Sequence, residues 1–327
     1  MNKYYKSLAN YFPMKKVIVL LGPTGVGKTS ASILLAQALW TEIISSDSMQ
    51  VYRNMDIGTA KPTRDERSII RHHMIDVVEP WEHYSTGEYI EGVKPILAAL
   101  HERNALPLIV GGTGLYIKAM TRGIFRGPSA NSKLREDLLQ RENAEPGSLH
   151  RQLQSVDPDA AAAIMPADVR RIVRALEVSL SGEKTMSEMQ AELTERLPYD
   201  FIKIGLTRER AELYEMIDRR VGRMIEIGLV EEVRNVTAAI QKHHAGPIED
   251  ISSMQAIGYK ELLMHLKGEM SLEDAVALIK QRSRNYGKRQ FTWFRKEEGI
   301  SWIDITGIFD EKEIFRKIIE KLNREYQ

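Results

Sequence analysis

The chain has 327 residues, with 46 Lys and Arg against 45 Asp and Glu, and no cysteine. The charge balance excludes a uniformly basic nucleic-acid binder, so any nucleic-acid surface must be a local patch. The missing cysteines exclude disulfide scaffolds, Cys-ligated zinc, iron–sulfur clusters and a thiol nucleophile. At roughly 150 residues per domain, the length suggests about two domains. No run approaches the ~18 apolar residues of a membrane helix. The apolar stretch at 17–21 faintly imitates a signal peptide but breaks at Gly22-Pro23-Thr24-Gly25, with no cleavage site after it. A soluble, cytoplasmic protein is expected.

In chain order, residues 1–14 read as an N-terminal extension with several tyrosines and no period. Residues 16–21 are β-branched and apolar on both faces, the pattern of a buried strand. A helix over 28–40 follows, with Ile33, Leu34, Ala38 and Leu39 in one stripe. Strands are predicted at 42–45, ending at Asp47, at 107–110, ending at Gly111-Gly112, and at 201–206, before a helix over 208–227. Short apolar strands alternating with helices predict a mostly parallel sheet covered on both faces. Residues 127–197 contain no strand-like run and are rich in Ala, Glu, Gln, Leu and Arg. They predict a helical insertion, its best helix over 167–180 with Asp168 as a possible cap and Gly182 just past the end. The predicted division is therefore 1–126 with 198–327 as a catalytic core, and 127–197 as an inserted domain. A possible edge strand at 302–305 and a polar helix to Gln327 close the chain.

Gly22-Pro23-Thr24-Gly25-Val26-Gly27-Lys28-Thr29 matches G-x-x-x-x-G-K-[ST] between a predicted strand and a predicted helix. In that setting backbone N–H groups cradle phosphate oxygens, Lys28 reaches the terminal phosphates and the Thr29 hydroxyl can hold Mg²⁺. The fold class is thus α/β with a P-loop NTPase-like core. Enzymes of this kind usually place a metal-organising Asp at the end of another strand. Here the strand 107–110 ends in Gly111-Gly112-Thr113-Gly114 with no acid, which weakens a motor or GTPase reading. Those glycines form either a second anion-facing junction or a tight turn needing positive φ. The acid that does end a strand is Asp47, in Ser45-Ser46-Asp47-Ser48-Met49-Gln50-Val51-Tyr52. Carboxyl ends of neighbouring parallel strands open onto one crevice, which favours a general base or metal organiser over a plain turn residue.

The phosphate loop, 47–52, Gly58-Thr59-Ala60-Lys61-Pro62, His72-His73-Met74-Ile75-Asp76, Gly111-Gly112-Thr113-Gly114-Leu115-Tyr116 and Ser253-Met254-Gln255-Ala256-Ile257-Gly258-Tyr259-Lys260 occur in this order. Together with Lys288-Arg289-Gln290-Phe291-Thr292-Trp293-Phe294, they make the chain resemble the bacterial tRNA dimethylallyltransferases from residue 16 to about 300. The resemblance implies transfer of a dimethylallyl group from dimethylallyl diphosphate to N6 of the adenosine 3′ to a tRNA anticodon. It implies Asp47 as base and Thr113 beside it. It also implies Arg220 on the diphosphate, with Arg219 one residue off as the fallback. Residues 22–29 would bind the diphosphate, Thr29 would hold Mg²⁺, and Asp47, Ser48, Met49, Gln50 and Thr113 would meet the tRNA. The eukaryotic members' zinc finger is absent for want of cysteines, and no obligate protein partner or membrane is implied. His72 and His73 stay unassigned.

Two basic groups are candidate RNA contacts. One is Arg170, Arg171 and Arg174 on the insertion; the other is Arg282, Arg284, Lys288, Arg289, Arg295 and Lys296, interleaved with Tyr286, Phe291, Trp293 and Phe294. Basic residues with aromatics suit looped RNA, while an amphipathic helix with Trp293 and Phe294 in the core is the alternative. Two rival functions remain at this point. One is a P-loop nucleotide or small-metabolite kinase; the other is an RNA-binding protein that uses a nucleotide as a switch.

Overall fold

Six short segments line up as one fully parallel sheet. In chain order the strands are β1 (Lys16–Leu21), β2 (Ile43–Ser46), β3 (His72–His73), β4 (Leu108–Gly111), β5 (Ile124–Phe125), β6 (Thr194–Glu195), β7 (Asp200–Thr207) and β8 (Ile300–Asp304). The sheet order is β3-β2-β4-β1-β7-β8, while β5 and β6 form a separate antiparallel pair. The computed structural model describes residues 16–125, 127–128, 131–182 and 184–326. The expected extension over 1–14 and the terminal Gln327 lie outside them. Residues 17–21 are fully buried, which is why the strand is apolar on both faces: it lies inside the sheet between β4 and β7.

The helix Lys28–Leu39 buries Ala31, Leu35 and Ala36 against this sheet. It stops one residue short of the expected end because Trp40 turns left-handed at φ 52° and its N–H closes onto the Ala36 and Gln37 carbonyls. The helix expected at 208–227 is Arg210–Glu226, and β8 is the edge strand, at 300–304 rather than 302–305. A second core lies under the segment that follows β2. There Val51, Tyr52 and Met55 pack with Val233, Val236, Tyr259, Leu262 and Ile279.

Among the described residues the chain divides into two compact units, one of residues up to 117 and from 198, the other of residues 118–197. The second unit starts earlier than the expected 127. The helix Gly114–Thr121 runs into it, and Leu197 N–H donates to the Met120 carbonyl at 3.1 Å. It also contains β6, contrary to the expectation of no strand there; a two-residue strand carries no readable period.

Within this unit Leu138, Leu149, Leu153, Ile172 and Leu176 form the interior. The helix Val169–Ser181 starts where Asp168 accepts from Arg171 N–H at 3.3 Å. The fully buried Glu177 carboxylate accepts from Arg135 at 2.9 Å, Arg174 at 2.5 Å and Asn131 N–H at 2.7 Å. A buried carboxylate is tolerated only when paired in this way. Arg174 is thus paired with a buried carboxylate and only partly exposed, and Arg170 and Arg171 are the exposed pair of the expected group. Arg174→Ala is expected to lower the melting temperature, because Glu177 loses a cation, with little change in the salt dependence of RNA binding. Differential scanning calorimetry and a salt titration check the two halves of this expectation.

Candidate active site

Three loops leave the carboxyl ends of β1, β2 and β4 and line a cavity of about 270 Å³. The first is the phosphate loop. Gly27 caps the helix behind it at φ 103°, a left-handed conformation that only glycine adopts freely. Lys28 Nζ donates to the Gly22 and Pro23 carbonyls at 2.8 and 2.9 Å. Burial, and then the neighbouring Arg220, push its ammonium down to about 7, with Asp47 pulling the other way. Behind the loop, Arg208 is 5% exposed and donates to the Val26 carbonyl at 3.1 Å and to Ile305 at 2.9 Å. It ties the phosphate loop to the end of β8.

The second loop carries Asp47, one residue past β2. Its Oδ1 accepts from Met49 N–H at 2.8 Å and Gln50 N–H at 3.3 Å, which leaves Oδ2 uncommitted to either contact. Gln50 lines the cavity and braces its wall. It accepts from Ser45 Oγ at 2.8 Å and donates to the Thr59 and Ala60 carbonyls at 3.3 and 3.2 Å. The 56–58 turn is itself clamped by Glu232, whose carboxylate accepts from the N–H groups of Asp56, Ile57 and Gly58 at 2.9, 2.7 and 2.9 Å.

The third loop is Gly112-Thr113. Its glycines do not sit at positive φ as a tight turn would require. They are forced by close approach: a Cβ on Gly111 would overlap the Ser46 carbonyl, and one on Gly114 the Trp293 ring. Thr113 Oγ1 accepts from Ser48 N–H at 3.0 Å, joining this loop to the one that bears Asp47.

Arg220, from the helix Arg210–Glu226, enters the same cavity. Its Nη2 donates to Thr24 Oγ1 at 2.6 Å, and its buried Nε has no hydrogen-bond partner among the described residues. Burial lowers its pKa and Asp47 raises it. A buried guanidinium with a spare donor beside a phosphate loop is an anion site in waiting. Arg219, the fallback, is exposed and pairs with Glu215 at 3.6 Å, so it does not line the cavity.

Sequence reasoning missed two lining residues of the helix Leu272–Phe294. Tyr286 bonds to Thr113, and burial followed by the Asp47 charge raises its phenol. Gln290 accepts from Thr24 N–H at 2.8 Å and donates to the Gly112 carbonyl at 2.9 Å. The same helix divides the basic–aromatic group between ion pairs, core and surface. Arg282 pairs with the buried Glu261 at 2.5 Å and Arg284 with Asp218 at 2.6 Å, while Phe294 is buried and Trp293 covers Gly114. Lys288, Arg289 and Arg295 are exposed, with Arg289 5.8 Å from the Tyr286 ring centre. His72 and His73 do not act as a pair: His72 meets the Ile70 carbonyl at 2.8 Å and His73 the Glu42 carboxylate at 2.5 Å.

Mg²⁺ takes hard oxygen ligands and usually keeps several waters, needing one or two protein oxygens beside a phosphate ligand. The cavity supplies such an oxygen in the Thr29 hydroxyl. No cluster of three His, Asp or Glu able to cage a metal occurs among the described residues. The donor set fits a phosphate-borne Mg²⁺ and not a protein-caged metal. No helix of the described residues is long and apolar enough to cross a membrane.

The chain matches the family model IPP transferase over residues 50–297 and the model isopentenyl transferase over 15–79. It is 53% identical to a tRNA dimethylallyltransferase of Thermodesulfovibrio yellowstonii, over 94% of this chain and 98% of the relative. Among solved structures, it resembles the full-length tRNA isopentenylpyrophosphate transferase of Bacillus halodurans with a TM-score of 0.68 and 41% identity, over 95% of this chain and 97% of that one. It also resembles a eukaryotic dimethylallyltransferase captured acting on tRNA, with a TM-score of 0.78 and 33% identity, over 90% of this chain and 75% of that one.

Proposed function

The chain belongs to the IPP transferase family, the tRNA dimethylallyltransferases, and we propose that it transfers a dimethylallyl group from dimethylallyl diphosphate to N6 of the adenosine 3′ to the anticodon. The observation that carries this reading is one cavity lined by the phosphate loop, Lys28 and Arg220 together with the Asp47 carboxylate, whose loop is tied to the end of β4 by Thr113. A kinase needs a γ-phosphoryl acceptor and metal-organising acids at the phosphates. A diphosphate leaving group needs only cations and amide donors.

In this reading N6 attacks the allylic carbon as that carbon's bond to the diphosphate oxygen breaks. Lys28, Arg220 and the loop N–H groups take up the charge that develops on the diphosphate. The Thr29 hydroxyl would hold Mg²⁺ at the diphosphate, and the ion would supply further neutralisation there. N6 is a poor nucleophile because its lone pair is delocalised into the purine, so Asp47 accepts its proton as the bond forms. Thr113 orients the base beside Asp47. The adenosine must leave its stack to reach this depth.

The test is to incubate the protein with tRNA and labelled dimethylallyl diphosphate, with γ-labelled ATP in parallel. Label on RNA from the prenyl donor alone supports the reading. Phosphoryl transfer from ATP with no prenyl transfer would restore the kinase. For RNA contact we propose Arg170, Arg171, Lys288 and Arg289, all exposed. Arg170→Ala with Arg171→Ala is expected to raise the KM for tRNA and flatten its log–log salt slope by about 1.4, from about 0.7 per lost single-strand phosphate contact. An unchanged slope would assign that helix face to solvent.

A further inference from the structure

We propose that Gln290 is a positioning residue that sets the spacing between the donor and acceptor halves of the cavity, a role that rests on the prenyl-transfer reading. Its amide oxygen takes the Thr24 N–H and its amide nitrogen holds the Gly112 carbonyl. Thr24 belongs to the phosphate loop and its hydroxyl holds Arg220. Gly112 adjoins Thr113, whose hydroxyl holds the backbone next to Asp47. One side chain, 7% exposed, is therefore hydrogen-bonded to the loop that would grip the leaving group and to the loop that would grip the nucleophile.

The bridge is built on a fixed support. Its helix is pinned by Arg284 on Asp218 and by Arg282 on the buried Glu261. Contact with Gly112 is close enough that a Cβ there would overlap the Gln290 amide nitrogen. Tyr286, one turn earlier, braces Thr113 from the same helix. A carboxamide accepts from an N–H and donates to a carbonyl through one planar, neutral group. Glutamate retains the acceptor and loses the donor, and methionine has neither at similar length.

The chemistry makes this spacing matter. Substitution at the allylic carbon needs N6 and carbon at near-attack distance. A misplacement of about 1 Å costs roughly 10²-fold in rate without altering the groups that bind either substrate. The experiment measures single-turnover transfer from dimethylallyl diphosphate to tRNA, at saturating concentrations of both, in the full chain carrying Gln290→Met. The rate is expected to fall roughly 10²-fold. Both KM values should stay within about threefold of the wild type, since ground-state binding is retained, and the melting temperature should fall by only a few degrees with the fold kept, as two backbone groups lose their partner.

Gln290→Glu, which keeps the bond to Thr24, is read in the same way and should also lose rate with its fold intact. A normal rate in both variants would overturn the proposal. So would loss of folding in both, or a loss of rate matched by the donor KM, because each makes the bridge structural. Wild-type protein assayed alongside separates the two ideas: if it transfers no prenyl group, the functional reading fails and takes this role with it.

Discussion

Asp47→Ala is expected to lower kcat by roughly 10²–10⁴-fold, the range for losing a positioned general base, with little change in the KM for dimethylallyl diphosphate. The split follows from where the carboxylate sits. Asp47 follows β2 and its Oδ1 is held by the Met49 and Gln50 N–H groups, while Lys28 and Arg220 make the hydrogen bonds to the phosphate loop and feel Asp47 only through its charge. Removing a group that meets the nucleophile spares ground-state binding of the leaving group. Asp47→Asn should be nearly as slow, since it preserves shape and removes only the basicity. Near-normal single-turnover chemistry in Asp47→Ala would remove the base role. A large loss of donor affinity and Mg²⁺ dependence would recast Asp47 as a metal organiser.

Lys28→Ala should reduce kcat/KM for the donor by roughly 10²–10³-fold, the usual cost of one charge-stabilising donor in a water-poor site. It should also abolish a proton linkage. With its pKa at about 7, Lys28 is cationic below that pH and increasingly neutral above it in the free protein. A bound diphosphate favours the cation, so binding takes up a proton above pH 7 and none well below it. Donor Kd should therefore rise by up to about tenfold per pH unit above 7. Calorimetry at pH 8 in two buffers of unlike ionisation enthalpy reads that proton directly. Equal apparent enthalpies in the two buffers would mean that Lys28 is already charged or does not meet the donor.

What was legible in the sequence is what is local. The phosphate loop, Asp47 at a strand end and the Gly111-Gly112-Thr113 turn are each contiguous, and the parallel sheet then puts their strand ends side by side. Arg220 came only through the family resemblance, since nothing in 217–221 distinguishes it from Arg219. Gln290 was invisible as a site residue because its meaning lies in contacts 266 and 178 residues away, at Thr24 and Gly112. The ion pairs of the basic groups share that cause: Arg174, Arg282 and Arg284 carry no sequence sign of Glu177, Glu261 and Asp218, which lie beside them in the fold. The two-residue strands at 72–73 and 194–195 carry no period for pattern reasoning to detect.

Transfer to a short anticodon stem-loop tests the central claim most directly. Two versions are compared, identical except that one carries adenosine 3′ to the anticodon and the other carries purine riboside, which lacks the exocyclic amine. With labelled dimethylallyl diphosphate and Mg²⁺, we expect label on the adenosine stem-loop and none on the purine one, with both competing equally for the protein. Label on the purine stem-loop would contradict the account, because the acceptor could not then be N6 and Asp47 would have no amine proton to take.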